Sequence, residues 1–250
     1  MLEIKNVMLS FGGLIATNNV SFEVKANTIC GLIGPNGAGK TTLFNIISGV
    51  YKPDKGEITF MNKRLDGLPP YKVNQYGIAR TYQSINLFHK MSVVDNIKVG
   101  MHSNIVSGLP SAIFRTKRQK DEERSVNERA DELLEFAGLS KKKHHIASSL
   151  SYGEQRMLEI ARGLASKPKL LLLDEPAAGM NTVEKAALVE TMKKIQKMGV
   201  TIFIVEHDMK LMMGTADHIC VLNYGSKIAE GPPSEIQCNP EVILAYLGGE

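Results

Sequence analysis

Three short apolar runs punctuate the chain: Ile29-Cys30-Gly31-Leu32-Ile33, Leu170 to Leu173, and Thr201-Ile202-Phe203-Ile204-Val205. None alternates with polar residues, and each gives way at once to polar or glycine positions. Strands apolar on both sides are buried on both faces, so these runs predict a parallel sheet covered by helices. Between them the apolar spacing becomes helical. Met157, Ile160, Ala161, Leu164 and Ala165 share one face that stops near Pro168. Leu188, Met192 and Ile195 share another, opened by Asn181 and Glu184 as a capping box and closed by Gly199. A third runs through Val126, Ala130, Leu133, Leu134 and Ala137 to Gly138. Leu2–Leu9, Val20–Lys25 and Glu57–Phe60 predict strands of an antiparallel sheet. The expected fold class is therefore α/β, a single domain over 1–250. It has a parallel core sheet, an antiparallel β subdomain, and a mostly helical subdomain inserted at 84–166.

Composition narrows the partners. With 250 residues, 43% of them hydrophobic and 22% charged, the chain has globular proportions rather than disordered ones. A net charge of +4 without a dense basic block gives no reason to expect nucleic acid. The long uncharged stretches, such as Val99 to Phe114, are broken by polar residues and glycine and do not read as membrane spans. The first residues lack the apolar region of a signal peptide. Cys30, Cys220 and Cys238 lie far apart, suggesting neither a zinc site nor a disulfide framework. The expectation is a reduced, soluble, cytosolic protein.

The chemistry gathers after the buried runs. Gly34-Pro35-Asn36-Gly37-Ala38-Gly39-Lys40-Thr41-Thr42 fits G-x-x-x-x-G-K-[ST] in full, between a strand and an apolar helix. Its backbone N–H groups can surround phosphate oxygens at a helix start, Lys40 can reach the β- and γ-phosphates of a nucleotide, and Thr41 can ligate Mg²⁺. Asp174-Glu175 closes a second buried strand, where paired carboxylates are costly without a cation or a reacting water. Asp174 suits the Mg²⁺ shell and Glu175 the polarisation of water. Ser151-Tyr152-Gly153-Glu154 precedes an amphipathic helix; Ser151 and Glu154 form a capping box, and Gly153 with the free N–H groups makes a second phosphate site.

In this order and spacing, the motifs resemble the ATP-binding subunit of an ABC transporter, a P-loop NTPase of the ABC ATPase type. The resemblance spans essentially the whole chain. It implies two cassettes packed head to tail, the signature residues Ser151, Gly153 and Glu154 of one completing the nucleotide site of the other. It further implies that Gln83 senses Mg²⁺ and the attacking water and signals to permease subunits. By the same resemblance His207 contacts the γ-phosphate and holds Glu175, Phe11 stacks on adenine, and Gly179-Met180-Asn181 lies across the dimer interface. Phe11 also reads as a core aromatic. Tyr152, Glu154 and Asn181 depart from the commoner Gly, Gln and Asp, and Glu154 adds negative charge near a phosphate. Together with Asp174 to Gly179 and the tail Ala245-Tyr246-Leu247-Gly248-Gly249, they resemble the branched-chain amino acid uptake branch.

That branch implies transmembrane permease subunits, an identical or sister second ATPase, and an extracytoplasmic binding protein reached indirectly. It also implies a peripheral place on the cytoplasmic face of the inner membrane. Another cargo, such as lipopolysaccharide or urea, or a non-transport ATPase acting on nucleic acid or ribosomes, is the alternative. Lys141 to His145 reads as a solvated turn, Met209, Met212 and Met213 as core filling, and Leu109 to Gln119 as an exposed insertion.

Overall fold

The computed structural model describes residues 1–101 and 117–247, so the expected insertion lies, as far as residue 116, outside the described residues. Two compact units emerge. One comprises Met1–Gln83 with the chain from Lys169 onward, the other Ser84–Pro168.

The first unit holds both sheets. β1 (Leu2–Phe11), β2 (Leu14–Val24), β4 (Lys55–Phe60) and β5 (Lys63–Arg64) form an antiparallel sheet in the order β2-β1-β4-β5. Along β1 the buried positions change from Leu2 and Ile4 to Val7 and Leu9. The register slips between Ile4 and Val7, and Asn6 takes a left-handed φ of 50° there, so a bulge swaps the inward parity. β2 starts earlier than its apolar pattern predicts, at Leu14 rather than near Val20. Leu14 and Ile15 are exposed while pairing with Phe11 and Ser10, so no inward alternation announces them.

The second sheet has six strands in the order β10-β9-β3-β8-β7-β6. These are β3 (Ile29–Ile33), β6 (Ile78–Arg80), β7 (Leu170–Asp174), β8 (Thr201–Val205), β9 (His218–Asn223) and β10 (Ser226–Gly231). All but β10 run parallel. β3, β7 and β8 are buried at every position, as their unbroken apolar runs require. Phe22 of β2, Phe203 of β8 and Phe44 of the helix α1 (Lys40–Ile47) stack with centroids 5.7 and 5.0 Å apart, so one core serves both sheets. α2 (Pro70–Gln75) follows on the same unit.

The second unit contains α3 (Val93–Gly100), α4 (Lys117–Phe136) and α5 (Tyr152–Ala165). Of the expected apolar face, Ala130, Leu133 and Leu134 of α4 and Ala137 just beyond it are buried, while Val126 is half-buried. The face of α5 departs from its pattern: Arg156 and Glu159 are buried beside Leu158, Ile160 and Leu164. They form an ion pair of 2.7 Å, and Glu159 also accepts from the Asn86 N–H at 3.2 Å.

The first unit resumes with α6 (Thr182–Lys197), α7 (Met209–Thr215), α8 (Pro233–Cys238) and α9 (Pro240–Leu247). α6 opens on the predicted capping box of Asn181 and Glu184. Of the three methionines near α7, only Met212 is fully buried; its Cε lies 2.0 Å from where a Cβ on Gly31 would be, so glycine in β3 makes room for it. Among the described residues, no helix is long and apolar enough to cross a membrane.

Candidate functional site

β3 delivers the loop Gly34 to Gly39 to the start of α1. Two glycines are steric necessities. A Cβ at Gly34 would stand 2.1 Å from the Leu222 carbonyl of β9, and one at Gly39, whose φ is +95°, would stand 2.3 Å from the Ala16 carbonyl of β2. The β9–β10 turn straps the loop further, with Gly225 N–H donating to the Ala38 carbonyl at 3.1 Å. Asn36 and Gly37 form the exposed tip, Pro35 is half-buried, Ala38 is buried, and Thr41 and Thr42 open α1.

Lys40 is only 6% exposed, and its Nζ donates to the carbonyls of Gly34 and Pro35 at 2.7 and 2.8 Å. Burial lowers its pKa, while the charges of Glu175 and Asp174 oppose that shift. The ammonium thus sits in the field of both carboxylates at the end of β7.

Asp174, the last residue of β7, is 4% exposed and paired with Arg80 at 2.8 Å through Oδ2. Arg80 ends the short strand β6 and also donates to Asn45 Oδ1 and Ser48 Oγ, both at 2.7 Å. It therefore fixes Asp174 relative to the helix that carries Lys40 and Thr41. Nothing local in the sequence marks Arg80; its partner lies far along the chain. Breaking a buried pair strands an uncompensated charge, at a cost of about 3–5 kcal/mol. Arg80→Met is accordingly expected to melt roughly 6–20 °C below wild type. Circular dichroism melts without nucleotide measure this, and a shift below about 2 °C would show that Asp174 does not need its partner.

Glu175 leaves the ladder with its N–H on the Val205 carbonyl at 2.9 Å and a left-handed φ of 46°. An L-residue adopts that region at some cost, and here it turns the carboxylate toward Gln83 and His207. Gln83 Nε2 donates to Glu175 Oε2 at 2.8 Å, and His207 Nδ1 stands 3.8 Å from the same oxygen, in ion-pair range but too far for a hydrogen bond. Both of these contacts fall on Oε2, and the second carboxylate oxygen, Oε1, can accept a proton from water. Two predicted residues distant in the sequence, Gln83 and His207, thus converge on the carboxylate of a third, Glu175.

His207 is held by its backbone. Glu206, fully buried at the end of β8, accepts from the Ala177 N–H at 2.7 Å through Oε1 and from the His207 N–H at 3.3 Å through Oε2. Burial raises the Glu206 pKa, and those N–H groups act against the rise. On the other side Asp208 caps α7 through the Leu211 N–H and pairs with Lys185 of α6 at 2.6 Å. Glu206 went unnoticed in the sequence, although a carboxylate directly after a buried strand was the signal that singled out Asp174.

Phe11 is 47% exposed at the end of β1, which removes the core reading, and meets Tyr51 edge-on at 5.3 Å. Tyr51 is a second aromatic at this point that the sequence did not mark.

In the second unit, Ser151, Gly153 and Glu154 open α5 with the capping box complete: Ser151 Oγ accepts from the Glu154 N–H at 3.4 Å, and Glu154 Oε2 from the Ser151 N–H at 3.0 Å. His144 and His145 are exposed as expected, but Lys142 of the same turn is not simply solvated, because it grips Glu154.

Thr41, Asp174 and Gln83 offer hydroxyl, carboxylate and amide oxygens, the hard donors that Mg²⁺ takes. Among the described residues no group of three or more His, Cys, Asp or Glu could cage a metal alone. This donor set therefore fits an ion that shares its shell with phosphate and water.

A glycine-rich loop ending in a buried lysine, a buried acid whose charge acts on that lysine, and a second carboxylate bonded by a glutamine with a histidine 3.8 Å away are arranged as a nucleotide hydrolase site would need them. Residues 17–178 match the ABC transporter family, and the chain belongs to it. Residues 226–250 match the branched-chain amino acid ATP-binding cassette transporter family. Over 249 residues the chain is 45% identical to the high-affinity branched-chain amino acid transport ATP-binding protein LivG of Salmonella typhimurium, covering 99% of this chain and 98% of that one. A solved ATP-binding cassette of an ABC transporter in its ADP conformation superposes with a TM-score of 0.87 at 32% identity, covering 100% of this chain and 99% of the other. A dimeric cassette in a post-hydrolysis state with ADP and Pi gives 0.77 at 25% identity, covering 93% and 99%. The expected fold class is the one found.

Proposed function

We propose that this chain hydrolyses ATP to power an importer of branched-chain or related hydrophobic amino acids. In this reading it works as one half of a head-to-tail dimer, with an identical or sister ATPase, against permease subunits at the cytoplasmic membrane face. The observation that carries the cargo assignment is the match of the C-terminal residues 226–250 to the branched-chain family, alongside the full-length relative of that transport class.

The geometry supports the following chemistry. N–H groups of the loop 34–42 and the Lys40 ammonium bind the phosphates, while Phe11 stacks on the adenine. Thr41, Asp174 and Gln83 would hold Mg²⁺, whose charge helps neutralise the phosphate oxygens when it is bound. Glu175 orients water and takes its proton at Oε1. Gln83 fixes that carboxylate, and His207 reaches toward the γ-phosphate from its anchored backbone. Ser151, Gly153 and Glu154 serve the nucleotide of the other cassette. Positioning and charge carry the rate, since phosphoryl transfer needs little covalent help.

The test is transport. Deleting the gene is expected to abolish uptake of labelled leucine, isoleucine and valine, with the wild-type chain restoring it and co-purifying with its permeases. Undiminished uptake would overturn the cargo, and ATPase stimulation by ribosomes or DNA instead of permeases would favour the non-transport alternative.

A further inference from the structure

At the third position of α5 stands a carboxylate whose charge helps one partner and opposes another. For the helix itself Glu154 is favourable, because it completes the capping box and sits at the positive dipole end. For a phosphate arriving at the same turn it is repulsive. The 3₁₀ turn Ser140–Lys142 supplies the counter-charge: Lys142 Nζ lies 2.6 Å from Oε1 and 2.8 Å from Oε2 of Glu154. Oε2 also accepts the Ser151 N–H, so the carboxylate is drawn back onto its own cap. Lys142 is the largest cause holding the Glu154 carboxyl below the usual carboxylate range. The side chains remain 38% and 31% exposed, and pairs this accessible add little to folding. The consequence lies in the local charge.

We propose that Lys142 is a positioning residue of the signature segment. It cancels and withdraws the Glu154 charge, so that the N–H groups opening α5 can meet the terminal phosphate of a nucleotide held by the other cassette. This rests on the head-to-tail reading given above. It explains how the chain carries an acid where many of its family carry glutamine, without repelling the substrate.

The experiment is a cycle in the full-length chain, read by steady-state ATP hydrolysis, nucleotide binding and melting temperature. Lys142→Ala exposes Glu154 to the phosphate and is expected to lower turnover about tenfold at low salt, less at high salt. ATP binding to its own P-loop and the melting temperature should stay as in wild type. Lys142→Ala combined with Glu154→Gln should recover the turnover of Glu154→Gln alone. Wild-type turnover by Lys142→Ala would overturn the proposal. So would a double variant as slow as Lys142→Ala, because Lys142 would then act on something other than Glu154. Gly153→Asp, which brings an unpaired carboxylate into the same turn, separates the two levels of the argument. If it is slow while Lys142→Ala is not, only the role of Lys142 fails. If it hydrolyses ATP normally, the head-to-tail use of the signature segment fails.

Discussion

Glu175→Gln is expected to bind ATP as tightly as wild type and to hydrolyse it on the order of 10²–10⁴ times more slowly, the usual cost of losing a positioned base. The geometry makes this a clean substitution. Glutamine keeps an oxygen that can accept from Gln83 Nε2, now at 2.8 Å from Oε2, and keeps the backbone bond to Val205. It loses only the negative charge and the ability to take a proton. With binding intact and turnover stalled, the closed dimer should accumulate in ATP and separate from monomer by size-exclusion chromatography. Rapid single-turnover hydrolysis by this variant would remove Glu175 from its role, whatever the chromatography shows.

Lys40→Ala is expected to weaken ATP binding by on the order of 10²-fold and to abolish hydrolysis. A charge-assisted hydrogen bond contributes about 1.5–3 kcal/mol, whose upper end, expected for a buried ammonium on phosphate, corresponds to roughly that factor. The buried ammonium bonds the carbonyls of Gly34 and Pro35 and lies in the field of Glu175 and Asp174, while the guanidinium of Arg80 is already engaged by Asp174. Without Lys40 these acceptors face the phosphates with nothing positive from this loop's side chains between them. Isothermal titration of ATP into the two proteins measures the effect, and an unchanged dissociation constant would undo the assignment of this loop as a phosphate cradle.

What could be read in advance followed from local rules. Buried strands on both faces show as unbroken apolar runs, and β3, β7 and β8 lie together in the sheet as that pattern requires. Capping boxes are four-residue affairs, and both at Ser151 and Asn181 are present. The P-loop is contiguous. Residues that act through distant partners gave no such signal. Arg80 meets Asp174 across 94 positions, and Glu206 meets Ala177 across 29. Lys142 lay in a polar turn whose charge count suggested solvent. Arg156 and Glu159 share the buried face of α5 because they neutralise each other there, which a scale of single-residue hydropathy cannot register. The early start of β2 escaped because its first residues pair without burying anything.

The tethering of His207 has a consequence for time. Its main chain is pinned on one side through Glu206 to Ala177 and on the other through Asp208 to Lys185, yet its ring is 61% exposed. A response of this histidine to phosphate is therefore a rotation about its side-chain bonds, an event of picoseconds to nanoseconds for an exposed ring. Movements of whole loops take far longer. On that timescale the rotation of His207 would not limit the pace of a hydrolysis cycle.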